Sequence, residues 1–117
     1  LACHSLGTAV CGYYLTDPDR EAKVAGYVAI DGAVGDNCPG DSNCMGLFVD
    51  ETWQLGEVNA YVPDETHVQA ATSEASFAAQ FEFFTGVEPV RTETFQLNYQ
   101  KADAHHAAGM GNRCGYR

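Results

Sequence analysis

Three short, nearly uncharged runs constrain this chain most: 26–30 (GYVAI), 45–49 (MGLFV) and 57–62 (EVNAYV). The first two are apolar without alternation and end at Asp31-Gly32 and Asp50. Such runs are expected of strands covered on both faces, which belong to parallel sheets flanked by helices. The third run alternates more. Helical signals lie around them. Residues 6–15 (LGTAVCGYYL) are small and apolar and read as a buried helix, stopped by Pro18, with Asp17 placed to cap a short second one. In 72–85, Phe77, Phe81 and Phe84 fall at i, i+4 and i+7, with Ser73 as N-cap and Gly86 as the stop. That pattern predicts an amphipathic helix packing three aromatics. The alternation implies an α/β fold of three or four mostly parallel strands with flanking helices.

A chain of 117 residues has room for one domain. We place it at residues 1–95. Pro89 and the β-prone residues 90–95 lead out of it as an extended piece, and 96–117 form an irregular tail. Sixteen acidic against six basic residues give a net charge of -10, which repels nucleic-acid phosphates and anionic membrane surfaces. Nucleic acid is therefore excluded as an expected partner. No apolar run approaches the roughly 20 residues that cross a bilayer, so no transmembrane segment is expected. No signal peptide is visible; one would lie upstream.

Five cysteines are many for a chain of this size and point to an oxidising compartment. Cys38 and Cys44 bracket the turn-rich CPGDSNC and are expected to be bonded. So short a loop contributes about 2 kcal/mol in the chain-entropy model. Cys3, Cys11 and Cys114 remain as an odd set; Cys3 and Cys11, read as opposite ends of one helix, are not expected to pair.

The reactive residue types concentrate in Cys3-His4-Ser5-Leu6-Gly7, directly before a helix of small residues. A serine at a sharp strand-to-helix turn needs small neighbours, because bulky ones clash where the backbone folds back. Asp31 follows one helix and one strand later, and His67 lies beyond the third strand in Pro63-Asp64-Glu65-Thr66-His67-Val68-Gln69. The chain order Ser, Asp, His, with the acid at a strand's carboxyl end, is that of a serine-hydrolase triad.

These motifs resemble the α/β-hydrolase superfamily, and in particular secreted bacterial and archaeal lipases and esterases. Cys3-His4-Ser5-Leu6-Gly7 is similar to GHSLG, with Cys3 in place of the first glycine. Residues 61–73 and Phe83-Phe84-Thr85-Gly86 resemble the end of the catalytic domain in those enzymes, and the similarity covers roughly residues 2–90. The resemblance implies the carboxyl-terminal half of a catalytic domain, hydrolysing esters or acylglycerols without a metal or cofactor. Ser5 would be the nucleophile, His67 the base, Asp31 the orienting acid and the Leu6 N–H one oxyanion donor. The nucleophile-bearing strand and the second donor are expected to lie in a missing amino-terminal half. The remaining strands would expose an edge and one face and self-associate or recruit that half. The competing expectation is a catalytically silent fragment that binds apolar partners.

Some alternatives stay open at this level. Asp50, after the second strand, is the chief rival acid, and Asp64 or Glu65 beside His67 are others. His4 is expected to be structural or to line the acyl pocket. His105, His106 and Cys114 match no zinc spacing, and no metal site is expected. Trp53, Phe48 and Tyr61 are core or cleft wall.

Overall fold

A computed structural model describes residues 1–90. Four strands, β1 (Ala2–His4), β2 (Tyr27–Ile30), β3 (Cys44–Phe48) and β4 (Asn59–Tyr61), form one sheet in the order β1-β2-β3-β4. Every neighbouring pair is parallel, with His4 opposite Ile30, Ile30 opposite Leu47 and Phe48 opposite Tyr61. Helices α1 (Gly7–Leu15), α2 (Pro18–Glu21) and α3 (Glu74–Thr85) flank it. This is the α/β arrangement expected, with one addition. Strand β1 is present, so the strand that carries Ser5 belongs to this chain.

Side-chain alternation divides the buried residues between the two faces of the sheet. Tyr27, Ala29, Cys44 and Phe48 pack with Leu15 and Leu55 on one side. Val28, Ile30, Met45 and Leu47 pack with Val62 and Ala70 on the other, joined by Ala79 and Phe83 of α3. Tyr27, Val28, Leu47 and Phe48 are wholly buried. Full burial of each such side chain is worth roughly 1.5–3 kcal/mol, so β2 and β3 form the spine of the fold. Both sheet faces carry a helix here, which corrects the expectation of one bare face.

Local signals act where the sequence has them. The Asp17 carboxylate accepts from the N–H groups of Asp19 and Arg20 at 3.0 and 3.1 Å, with Pro18 opening α2. The Ser73 hydroxyl accepts from the Ser76 N–H, and Gly86 closes α3 with φ +76°.

Three further expectations need correction. Helix α1 is not buried: Thr8 and Leu15 face inward, whereas Val10 and Tyr13 are about 70 % exposed. A small, apolar composition gives no inner or outer face, so the sheet contact alone sets which residues are covered. The Phe77–Phe81–Phe84 stripe does not form the inner face of α3 either. Phe77 and Phe84 are exposed, while Ser76, Ala79 and Phe83 turn to the sheet. The Ser76 hydroxyl donates to the buried Ala70 carbonyl, a polar contact on the same inner face as Ala79 and Phe83. Third, Cys3 and Cys11 are bonded, as are Cys38 and Cys44. Cys3 lies on β1, not in the helix, and the turn at Ser5 folds α1 back so that the two Cα atoms are 6.5 Å apart. Residues 91–95 of the extended piece, the tail at 96–117, His105, His106 and Cys114 lie outside the described residues.

Candidate active site

Ser5 sits between β1 and α1 with φ +54°, left-handed backbone that costs a non-glycine residue on the order of 1–3 kcal/mol. Its surroundings hold it there. The Ser5 N–H donates to the Ile30 carbonyl at 2.9 Å, continuing the β1–β2 pairing. The Ser5 carbonyl accepts from the Thr8 N–H at 3.0 Å and from the Thr8 hydroxyl at 2.6 Å. That same hydroxyl accepts from the Ala33 N–H at 2.9 Å. Thr8 thus clamps the turn after β1 to the loop after β2. Gly32 permits the approach, because a Cβ there would overlap the Thr8 side chain and the Ser5 carbonyl oxygen.

Asp31 ends β2 with φ +43° and is 8 % exposed. Both carboxylate oxygens are engaged: Oδ1 accepts from the Val49 N–H at 3.1 Å, and Oδ2 lies 2.5 Å from Nδ1 of His67. Nε2 of His67 is 2.8 Å from the Ser5 hydroxyl oxygen. The three side chains therefore make one hydrogen-bonded chain, drawn from the ends of β1 and β2 and the loop after β4. With Nδ1 donating to the carboxylate, Nε2 is left as an acceptor for the serine proton, the arrangement a nucleophilic serine requires.

Asp50 takes no part. It is exposed and accepts from both the hydroxyl and the N–H of Thr52 at 2.7 and 2.9 Å, which holds its carboxyl below the usual range. Asp64 and Glu65 make no hydrogen bond to His67. His4 does: its Nε2–H donates to the His67 carbonyl at 2.7 Å, and the two rings lie 4.5 Å apart. The contact of His4 with the His67 loop, like the Thr8 clamp, joins segments far apart in sequence and has no short-range motif to announce it.

Ser5 and His67 open on a cleft of about 490 Å³ walled by Leu6, Ala9, Ala33 and Trp53. Trp53 is held edge-on to Phe48, with ring centroids 6.1 Å apart, and its carbonyl accepts from the Tyr61 hydroxyl at 3.1 Å. The Leu6 N–H at the mouth of α1 makes no hydrogen bond to another backbone group among the described residues. A larger groove of about 890 Å³ runs beside α3, lined by Glu65, Glu74, Glu82 and Glu88. It contains none of the three linked side chains, all of which line the smaller cleft. Among the described residues no group of His, Cys, Asp and Glu is arranged to hold a metal ion, and no helix is long and apolar enough to cross a membrane. Two disulfides fit an oxidising compartment. Compared with known proteins, the chain matches no protein family and no curated sequence.

Proposed function

We propose that the chain is a serine ester hydrolase of the α/β-hydrolase type, a carboxylesterase or lipase acting outside the cell. The observation that carries this reading is the Ser5–His67–Asp31 chain, with its serine held at positive φ between a parallel strand and a helix. Ser5 attacks the acyl carbon while His67 takes its proton and Asp31 stabilises the imidazolium. His67 then protonates the leaving alcohol, and water repeats the sequence to free the acid. The Leu6 N–H donates to the tetrahedral oxyanion. Apolar walls at Leu6, Ala9, Ala33 and Trp53 suit an uncharged acyl group, and the surplus of acidic residues disfavours anionic substrates.

A second reading, a catalytically silent binding module, is favoured by one feature. Leu6, Val10 and Tyr13 present an exposed apolar stripe beside β1, whose outer edge is unpaired among the described residues. One experiment separates the two. The purified chain is incubated with p-nitrophenyl butyrate and, separately, with a fluorophosphonate. Ester turnover and a mass increase on the peptide containing Ser5, both lost in Ser5→Ala, support the hydrolase. No turnover and no adduct at Ser5 leave the binding module.

A further inference from the structure

We propose that His4 is a positioning residue, which holds the His67 loop in register with Ser5 through its Nε2–H. This rests on the reading of Ser5, His67 and Asp31 as a triad. Residues 63–68 are exposed save for the half-buried Glu65, and their other hydrogen bonds are local. The Glu65 N–H donates to Val62, the Thr66 N–H to the Gln69 side chain, and the Thr66 carbonyl accepts from Ala70. Apart from the two bonds of the His67 imidazole itself, the bond from His4 is the one that ties this segment to residues distant in sequence among the described residues.

Its chemistry is specific. A carbonyl oxygen only accepts, so His4 must carry its proton on Nε2. The His67 ring is also packed against the His4 ring at 4.5 Å, tilted by 38°. Because His4 precedes Ser5 on the same strand end, the residue that anchors the base moves with the nucleophile. Without the anchor, the hydrogen bonds holding His67 would be the one to Asp31 and the one to Ser5, and the second is made and broken in each catalytic cycle. A general base displaced by about 1 Å loses on the order of a hundredfold in rate.

The test compares His4→Phe, which keeps a ring and removes the donor, with His4→Gln, which restores a donor on a side chain of similar reach. We expect kcat to fall at least tenfold in His4→Phe with KM within twofold, and His4→Gln to recover a substantial part of it. The second readout needs no turnover: the far-downfield proton resonance of the His67 Nδ1–H, recorded at low temperature in a Ser5→Ala background. It should be present with His4, broadened or lost in His4→Phe, and regained in His4→Gln. An unchanged resonance and unchanged kcat in His4→Phe overturn the proposal. Should His4→Phe not fold, a His4→Gln variant lacking the resonance overturns it equally. Absence of any esterase activity in the unmodified chain would sink the hydrolase reading and leave the resonance to decide the role of His4.

Discussion

Ser5 and Asp31 are the two non-glycine residues with positive φ among the described residues, and they stand at the carboxyl ends of adjacent parallel strands. The Ser5 N–H bonds to Ile30, and the Asp31 N–H to Leu47. Each N–H thus makes the last bond of its own strand with the next, and the positive φ turns the chain out of the sheet at that residue. His67 bridges the two side chains from above the strand ends.

That geometry separates two carboxylates that the sequence leaves in competition. Asp31→Asn should lower kcat/KM by about a thousandfold or more, because the imidazole loses its orienting acceptor and its charge stabilisation. Asp50→Asn should leave it within twofold. Steady-state kinetics of both variants on one p-nitrophenyl ester check this, and equal losses would count against the assignment of Asp31.

Thr8 should matter for stability and turnover together. Thr8→Val removes both the donation to Ser5 and the acceptor of the Ala33 N–H. We expect a loss of about 2 kcal/mol, since two hydrogen bonds are lost and, while the Ser5 carbonyl keeps the Thr8 N–H, the part-buried Ala33 N–H is left unsatisfied. Thr8→Ser should restore most of it. Urea denaturation of the three proteins measures the difference, and a Thr8→Val midpoint equal to that of the unmodified chain would show the clamp to be dispensable.

The two disulfides should be equal in stability and unequal in effect. Each closes a short loop, with sequence separations of 8 and 6, so removing either pair is expected to cost about 2 kcal/mol. Only Cys3–Cys11 spans the turn that holds Ser5. Replacing it by two serines should also lower kcat several-fold, whereas replacing Cys38 and Cys44 should not. Alkylation without reductant, followed by peptide mass analysis, should leave all four cysteines unlabelled in the unmodified chain.

Alkaline pH should destabilise the protein through Tyr27. Its phenol is buried and donates to the Thr8 carbonyl at 3.3 Å, and desolvation pushes its pKa from an ordinary value of 10.0 up to about 12. The unfolded chain therefore ionises first. The contribution of the buried neutral phenol is complete below pH 10 and is lost as pH rises through about 12, at no more than about 1.4 kcal/mol per pH unit. Denaturation curves between these pH values should show that decline, and Tyr27→Phe should be flatter over the same window while starting less stable by about 1 kcal/mol.

What the sequence determined by itself is what a few adjacent residues can encode. The uncharged runs specify β2 and β3, Asp17 and Ser73 specify helix starts, and the CPGDSNC turn brings Cys38 to Cys44. Each depends on periodicity, a cap or a tight turn, with no need of distant chain. The candidate residues Ser5, Asp31 and His67 were legible as residue types in a meaningful order, but their mutual distances were not. Only the tertiary structure decided that Asp31 and not Asp50 faces His67, that Cys3 meets Cys11, that Thr8 and His4 brace the turn and the histidine loop, and that Phe83 turns inward while Phe77 and Phe84 stay exposed. The physical reason is common to all of these. They follow from how parallel strands set the height of successive strand ends and how a sharp turn folds a helix back on its strand, and that geometry exists only once residues far apart in the chain have packed.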